Sequence, residues 1–279
     1  MLRMVSGMAI ALLGGCSLVT SLEGYAGGTD AGAPITDGGD GGGGGADAEA
    51  KQDASDDASS CDAGTIAHGA TCIPAPVAYW KLDEGTGVSV VDSVGGRKGV
   101  ALGQPAWSAG AVGSAAIELD GVDDMVTFGL TPDLDFGMRS FTYSLMVFVP
   151  EHVSRYEHPW YKGGSSANYP GYDMELGTDG CGAGLSDGTN NLVVGFDAPT
   201  FNQWVRLTAV VDRTAGEIRA YKNGAFTAKR DISAFKEIPA AGEAIVGSDG
   251  TGNWFKGRID DILIFDRALS SVEVAALGP

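Results

Sequence analysis

Histidine, cysteine and basic residues are all scarce in this chain. Of 279 residues, three are His and four are Cys. A zinc site needs Cys and His ligands at close, regular spacing, and that spacing does not occur. His68 reads as a solvated loop residue. His152 and His158 read as surface residues of the polar loop Glu151-His-Val-Ser-Arg-Tyr-Glu-His158. Lys and Arg number 18 against 36 Asp and Glu, for a formal net charge of −18. So acidic a chain repels nucleic acid and anionic lipid, and no nucleic-acid partner is expected. Long apolar runs are lacking too. The N-terminal run Met4 to Leu13 falls short of the ~20 residues that cross a bilayer. A nucleophile elbow and a phosphate loop are both missing.

What is abundant is glycine, with 44 residues. Much of it sits near the N-terminus. Arg3, the apolar run and the small pair Gly14-Gly15 before Cys16 resemble a bacterial lipobox. The resemblance implies that residues 1–15 are removed and that Cys16 carries the lipid anchor to the membrane. Ser17 then favours the outer membrane. The alternative is an ordinary signal peptide cut nearby. Residues 16–60 read as a disordered linker rich in Gly, Asp and Ala, because so few apolar residues cannot offset chain entropy. About 45 flexible residues span roughly 35–40 Å root-mean-square. The Asp-Gly runs lack the nine-residue period of calcium repeats. Residues 61–76 form a lead-in segment in which a Cys61–Cys72 disulfide would close a short loop. Cys181, in Gly180-Cys-Gly-Ala-Gly184, reads as a buried or idle thiol, and other pairings stay open.

Residues 77–279 read as the folded domain. Trp204 to Arg230 is its clearest stretch. The turns Arg213-Thr-Ala-Gly216 and Asn223-Gly224 divide it into three short runs in which apolar and polar residues alternate. Period-2 alternation sends one set of side chains to a core and the other to water. Asn-Gly tolerates positive φ at both central turn positions, so Tyr221-Lys-Asn-Gly224 predicts a tight hairpin. Phe141 to Val149 is the longest expected strand. Ser270, with Glu273 three residues on, predicts a capped C-terminal helix. Many short strands with frequent turns argue an all-β sandwich.

Several segments then resemble a known family. They are Ala78-Tyr-Trp-Lys-Leu-Asp-Glu-Gly-Thr-Gly87, Gly110-Ala-Val-Gly-Ser-Ala-Ala-Ile-Glu-Leu-Asp-Gly121, the W-x-R-L-x-x-V-x-D run from Trp204, and Phe255-Lys-Gly-Arg-Ile-Asp-Asp-Ile-Leu-Ile-Phe265. Together they cover Val77 to Leu277. They are similar to laminin-G/pentraxin-like domains of the concanavalin A-like lectin/glucanase group. Met146 or Val147 stands where that group usually carries a Trp. The resemblance implies a two-sheet antiparallel jelly-roll sandwich with one short C-terminal helix. It also implies a structural calcium held by Asp92 and Asp260, with Asp83, Asp261 and loop carbonyls near Gly95 as helpers.

Two kinds of site remain. Asp173 and Glu175 alternate on one strand and are the candidate catalytic pair, since glycan cleavage uses two carboxylates roughly 5–10 Å apart. The longer Glu-x-Asp-x-x-Glu pattern of glycosidases with this fold is absent. Sugar-binding sites pair aromatic faces with convergent polar groups. Arg155, Tyr156, Trp160 and Tyr169 in one unusual stretch, and Trp254 in a Gly-rich loop, are the candidates. Trp160 and Tyr161 also fit a core position at a strand edge. The expectation is a non-catalytic lipoprotein of the bacterial cell envelope, outer-membrane or secreted, that binds a glycan or an extracellular protein. The alternatives are a glycoside hydrolase or polysaccharide lyase, and a structural or adhesive envelope protein. Cys16→Ser is expected to move the protein from the membrane pellet to the soluble fraction. An unchanged membrane share would remove the anchor.

Overall fold

Alternating side chains need two surfaces to bury against, and this chain supplies them by stacking two sheets. The structure, a computed structural model, describes residues 61–68, 71–150, 156–166, 168–177, 180–197 and 201–278. The signal segment, Cys16, the linker and Arg155 lie outside the described residues. A hairpin of β1 (Thr65–His68) and β2 (Thr71–Pro74) comes first. Next are β3 (Ala78–Trp80), β4 (Ser89–Val91), β5 (Lys98–Leu102), β6 (Ala106–Ser108), β7 (Ala116–Asp120), β8 (Met125–Leu130) and β9 (Phe141–Phe148). There follow β10 (Glu157–Ser166), β11 (Tyr169–Gly177), β12 (Gly180–Ser186), β13 (Asn191–Phe196), β14 (Trp204–Asp212), β15 (Glu217–Lys222) and β16 (Ala225–Asp231). The last elements are β17 (Glu243–Val246), β18 (Lys256–Phe265) and helix α1 (Ser271–Ala276).

The front sheet runs β13-β12-β11-β10-β17-β8-β5-β4, and the back sheet β16-β15-β14-β9-β18-β7-β6, with β3 also paired to β18. All pairings are antiparallel. The fold is thus the expected all-β two-sheet sandwich with one short helix. Asn223 and Gly224 have φ of 49° and 76°, which turns β15 into β16. Ser270 accepts from the Glu273 amide and Glu273 accepts from the Ser270 amide, completing the capping box.

The core between the sheets takes Phe141, Tyr143, Leu145 and Val147 from β9 and meets them with Tyr172, Met174 and Leu176 from β11. Rings fill its centre. Trp80 and Phe128 lie 4.2 Å apart, Phe141 and Tyr172 4.8 Å. Trp160 belongs here. It is fully buried against Trp80, Phe128 and Tyr172. Two stretches therefore differ from the sequence reading. Residues expected as a loop after β9 include the ten-residue strand β10, and the glycine-rich run around Cys181 is β12.

A second core covers the outer face of the back sheet. Ile73, Tyr79, Val210, Tyr221, Leu263, Phe265, Leu269, Val274 and Leu277 are all buried there, with Ile66 against them. Its roof is the β1–β2 hairpin and α1. The Cys61–Cys72 disulfide forms, closing eleven positions of chain. Residues 61–76 are thus more than a clip. Burial of a side chain such as Ile73 stabilises by ~1.5–3 kcal/mol.

This roof is pinned at Asp261. The register between β18 and β9 slips between Asp260 and Leu263, and Asp261 has φ of 52°. Such a bulge re-aims side chains, and Asp tolerates the left-handed region better than most residues. Asp260 carboxylate accepts from the Ala111 and Val112 amides. Its neighbour Asp261 accepts from Tyr79 Oη at 2.6 Å, bonds His68 Nε2 at 2.7 Å, and pairs with the Arg206 guanidinium. His68 is therefore a buried partner, not a solvated loop residue. Burial pushes the Asp261 carboxyl up. The His68 hydrogen bond, the Arg206 charge and the Tyr79 hydroxyl outweigh it and hold the group at about 2. That lies below the ordinary ~3.9 of an unfolded Asp, so the stability it contributes is present above about pH 4 and lost as pH falls toward 2. Asp261→Asn leaves Arg206 buried without its counter-charge. It is expected to cost ~3–5 kcal/mol in denaturant unfolding and to flatten the loss of stability between about pH 4 and 2. A variant as stable as the parent would show that Arg206 is not held by this carboxylate.

Candidate functional site

Strand parity builds the site. On β11, Tyr172, Met174 and Leu176 point into the core, so Asp173 and Glu175 belong to the outer face of the front sheet. Asp173 lies opposite Tyr161 on β10 and Gly184 on β12, and Glu175 lies opposite Gly182. The glycines keep the floor low. A Cβ at Gly182 would stand 2.1 Å from Val193 Cγ1, and one at Gly164 2.9 Å from Asp173 Oδ2. Behind the floor, the core hydroxyl of Tyr143 donates to the Asp173 carbonyl at 3.0 Å, which ties β11 to the back sheet.

A cavity of about 380 Å³ lies over these residues, lined by Tyr156, His158, Tyr161, Tyr169, Asp173, Glu175, Asp249 and Asn253. A second of about 460 Å³ shares Tyr161, Tyr169 and Asp249, and continues past Pro170, Pro239 and Gly242. A third of about 330 Å³ shares Tyr156 and Glu175, and continues to Val193 and Arg230. Their shared walls make one trough across the front sheet. Tyr156 and Tyr169 are 49% and 60% exposed, so their rings are open to a ligand. One wall, at Ala241 to Glu243, hangs on Lys162, whose buried ammonium donates to the Ala240 and Gly242 carbonyls at 2.6 and 2.9 Å and pairs with Asp135 at 2.7 Å.

The trough is acidic. Burial pushes the Asp249 carboxyl up, but hydrogen bonds from Thr251 and Asn253 outweigh it and hold the group below its ordinary range. Burial pulls the His158 imidazole down, which keeps it neutral at pH 7. Its Nδ1 stands 3.5 Å from Asp173 Oδ2 and makes no hydrogen bond. Burial, then the Asp173 and Asp249 charges, push the Tyr161 hydroxyl up to about 12, so it remains a donor.

Of the candidate site residues, Tyr156, Tyr169, Asp173 and Glu175 come together in this trough. Trp160 does not. Its parity is opposite to that of Tyr161, and the core takes it. Trp254 is half-buried beside Asn253 and lines none of the three cavities. The sequence reading did not single out Asp249, Glu243 or Arg230. Asp249 carried a faint signal, an acid within Gly247-Ser-Asp-Gly250. A further cavity of about 380 Å³ lies on the back sheet, but its Arg258 is already paired with Glu118 at 3.0 Å and sits 4.9 Å over the Phe148 ring.

The carboxylates expected to hold calcium are committed elsewhere. Asp92 pairs with Arg97 and accepts from the Tyr79 and Val94 amides. Asp83 accepts from the Ser114 and Ala115 amides. Asp260 carries the Ala111 and Val112 amides, and Asp261 carries Arg206. Calcium wants six to eight oxygens converging on one point. Here guanidinium groups and amides take most of those oxygens, although Asp260 Oδ1 is buried without a hydrogen bond, and the four residues do not gather their oxygens within 4.8 Å as a group. Among the described residues, only Asp120, Asp123 and Asp124 bring carboxylate oxygens within 4.8 Å of one another. In that group Asp120 and Asp124 each cap a backbone amide of the same turn.

Comparison with known proteins gives a family match. A laminin-G family model, described as the concanavalin A-like lectin/glucanases superfamily, matches residues 120–275. No curated protein matches the chain. Among solved structures, the chain is similar to the binding domain of Paraclostridial Mosquitocidal Protein 1, with 17% identity over 72% of this chain and 51% of that one, at a TM-score of 0.60. It is similar to the botulinum neurotoxin serotype G binding domain, with 16% identity over 73% and 50%, also at 0.60. It thus spans about half the length of those toxin domains. It spans 98% of domain 4 of AbnA, a GH43 extracellular arabinanase from Geobacillus stearothermophilus solved with arabinotriose. There the identity is 21% over 73% of this chain, at 0.56.

Because Asp83, Asp92, Asp260 and Asp261 already have protein partners, chelation with EDTA is expected to leave the melting temperature unchanged. A fall in Tm that added calcium restores would mean that an ion displaces these partners.

Proposed function

This chain belongs to the concanavalin A-like lectin/glucanases superfamily, and from that premise we propose that it binds a carbohydrate chain along the outer face of its front sheet. The observation that carries the reading is the trough itself. Its central cavity adjoins one neighbour through Tyr161, Tyr169 and Asp249 and another through Tyr156 and Glu175. Tyrosine rings offer flat apolar faces to the C–H side of a sugar, and their hydroxyls offer hydrogen bonds. Asp173, Glu175 and Asp249 offer acceptors for sugar hydroxyls. Two relatives of the fold are in keeping with this, one solved with arabinotriose and a botulinum neurotoxin serotype D domain solved with N-acetylneuraminic acid. In the same reading, Cys16 and the acidic linker hold the domain out from the bacterial envelope.

A second reading is glycan cleavage. It draws on Asp173 and Glu175 standing two residues apart in the trough, ~7 Å along the strand, within the range of glycosidase pairs. Incubation with any oligosaccharide that binds separates the two. Shorter products that Glu175→Gln abolishes would favour the enzyme, and unchanged sugar favours the binding module.

A glycan array followed by titration calorimetry tests binding. Tyr169→Ala and Tyr161→Ala are expected to weaken the best oligosaccharide about tenfold each, ~1.4 kcal/mol, with the melting temperature held. A blank array would end the carbohydrate reading and leave a protein partner.

A further inference from the structure

One end of the trough has a wall with little to offer a hydroxyl. Residues 239–242 read Pro-Ala-Ala-Gly, so no side chain there donates or accepts a hydrogen bond. Two of their carbonyls are engaged too. Ala240 and Gly242 turn theirs to the Lys162 ammonium, which is buried beneath the wall and paired with Asp135. Burying an ammonium is costly, and here it fixes the shape of a surface loop. Ile245 and Pro170 extend the apolar lining of the same cavity of about 460 Å³. A sugar hydroxyl pressed against this wall loses its water without gaining a partner. A methyl group gains by the same burial.

Two polar groups flank Ile245 on the outer face of the sheet. On β10, Tyr161 is its cross-strand neighbour. Burial, first of all, keeps the Tyr161 hydroxyl protonated and therefore a donor. On β8, the neighbour is Thr127, whose hydroxyl donates to Glu243 Oε2 at 2.9 Å. That bond fixes an acceptor carboxylate two residues along β17 from Ile245. Tyr161, Ile245 and Glu243 all line the cavity. They present a donor, an apolar side chain and an acceptor in that order across the sheet. A trans secondary amide sets its C=O and N–H on opposite edges. An acetamido group adds a methyl to that pair, and so carries a partner for each of the three.

Resting on the carbohydrate reading, we propose that this end of the trough is a subsite for an N-acetylated amino sugar. The acetamido carbonyl accepts from Tyr161 Oη, its N–H donates to Glu243, and its methyl packs on Ile245 against the wall. The sugar ring lies toward the exposed ring of Tyr169. A hydroxyl in place of the acetamido group reaches one polar partner and leaves the wall uncovered. A free amine lacks both the carbonyl and the methyl.

The test is calorimetry of the full chain with the tetramers of N-acetylglucosamine and of glucose in the same linkage. These differ only in acetamido against hydroxyl. The N-acetylglucosamine tetramer is expected to bind about tenfold more tightly. Ala241 is exposed, so Ala241→Trp should keep its melting temperature, fill the cavity and remove the preference. Glu243→Ala, also at an exposed position, should reduce the preference about threefold through the lost hydrogen bond. Equal affinity for the two tetramers, or tighter binding of the glucose tetramer, overturns the subsite and leaves the carbohydrate reading standing. An unchanged preference in Ala241→Trp overturns it as well. Binding of neither tetramer overturns the subsite, and a blank glycan array beside it overturns both.

Discussion

A carboxylate buried among a guanidinium, an imidazole and a phenol is costly to build, and this fold is arranged around one. Asp261 sits at a bulge in β18, an inner strand of the back sheet. Its oxygens reach the N-terminal hairpin through His68, β3 through Tyr79 and β14 through Arg206. Arg206 in turn donates to the Gly278 carbonyl at 3.0 Å, just beyond α1. Segments from the start, the middle and the end of the domain thus meet at one charge. Replacing any one leaves the others with unpaired polar groups in a dry site, where each such group costs ~1–3 kcal/mol or more. The surrounding apolar roof keeps that site dry. Its packing and the polar network therefore depend on each other.

Commitment of the back sheet to this roof leaves the front sheet free for a ligand. One outer face of the sandwich is covered by a hairpin and a helix. The other is left with tyrosines, carboxylates and glycines. The two faces are linked through the core. Tyr143 lies on β9 beside β14 and β18, and its hydroxyl crosses the sandwich to the Asp173 carbonyl. Lys162 performs the same service at the wall by holding the loop around Ala240 to Gly242. A site whose floor and wall are fixed before a ligand arrives loses less entropy on binding.

Much of the fold could be read from local pattern. The Trp204–Arg230 meander, the Asn223-Gly224 turn and the Ser270/Glu273 box all depend on residues within a few positions of one another, and local chemistry decides them. What escaped depends on distant partners or on parity. In β10, His158-Pro-Trp-Tyr-Lys162 mixes polar and aromatic residues on both faces, so alternation does not say whether Trp160 or Tyr161 points inward. A shift of one residue exchanges core for trough. In β12, glycine occupies the outward positions and conceals the strand. His68 pairs with a residue 193 positions away, and nothing nearby in sequence announces it. Asp260 and Asp261 read as a metal pair until the bulge aims them at different partners. Within the site, Asp173, Glu175, Tyr156 and Tyr169 were legible because unusual polar and aromatic residues stand together there. Asp249 was not, because only the pairing of β17 with β10 brings its loop alongside.

The placement of charge follows from the same division. Inside the sandwich and under the roof, cations answer the acids: Arg97 answers Asp92, Lys162 the partly buried Asp135, and Arg206 Asp261. On the back-sheet surface, Glu118 and Arg258 answer each other. Among the described residues that line the trough, Asp173, Glu175 and Asp249 are acids and Arg230 is a cation. The Tyr161 hydroxyl, kept protonated, and the neutral His158 add no charge there. The trough therefore offers a ligand hydroxyl donors, carboxylate acceptors and ring faces at positions the fold has already fixed.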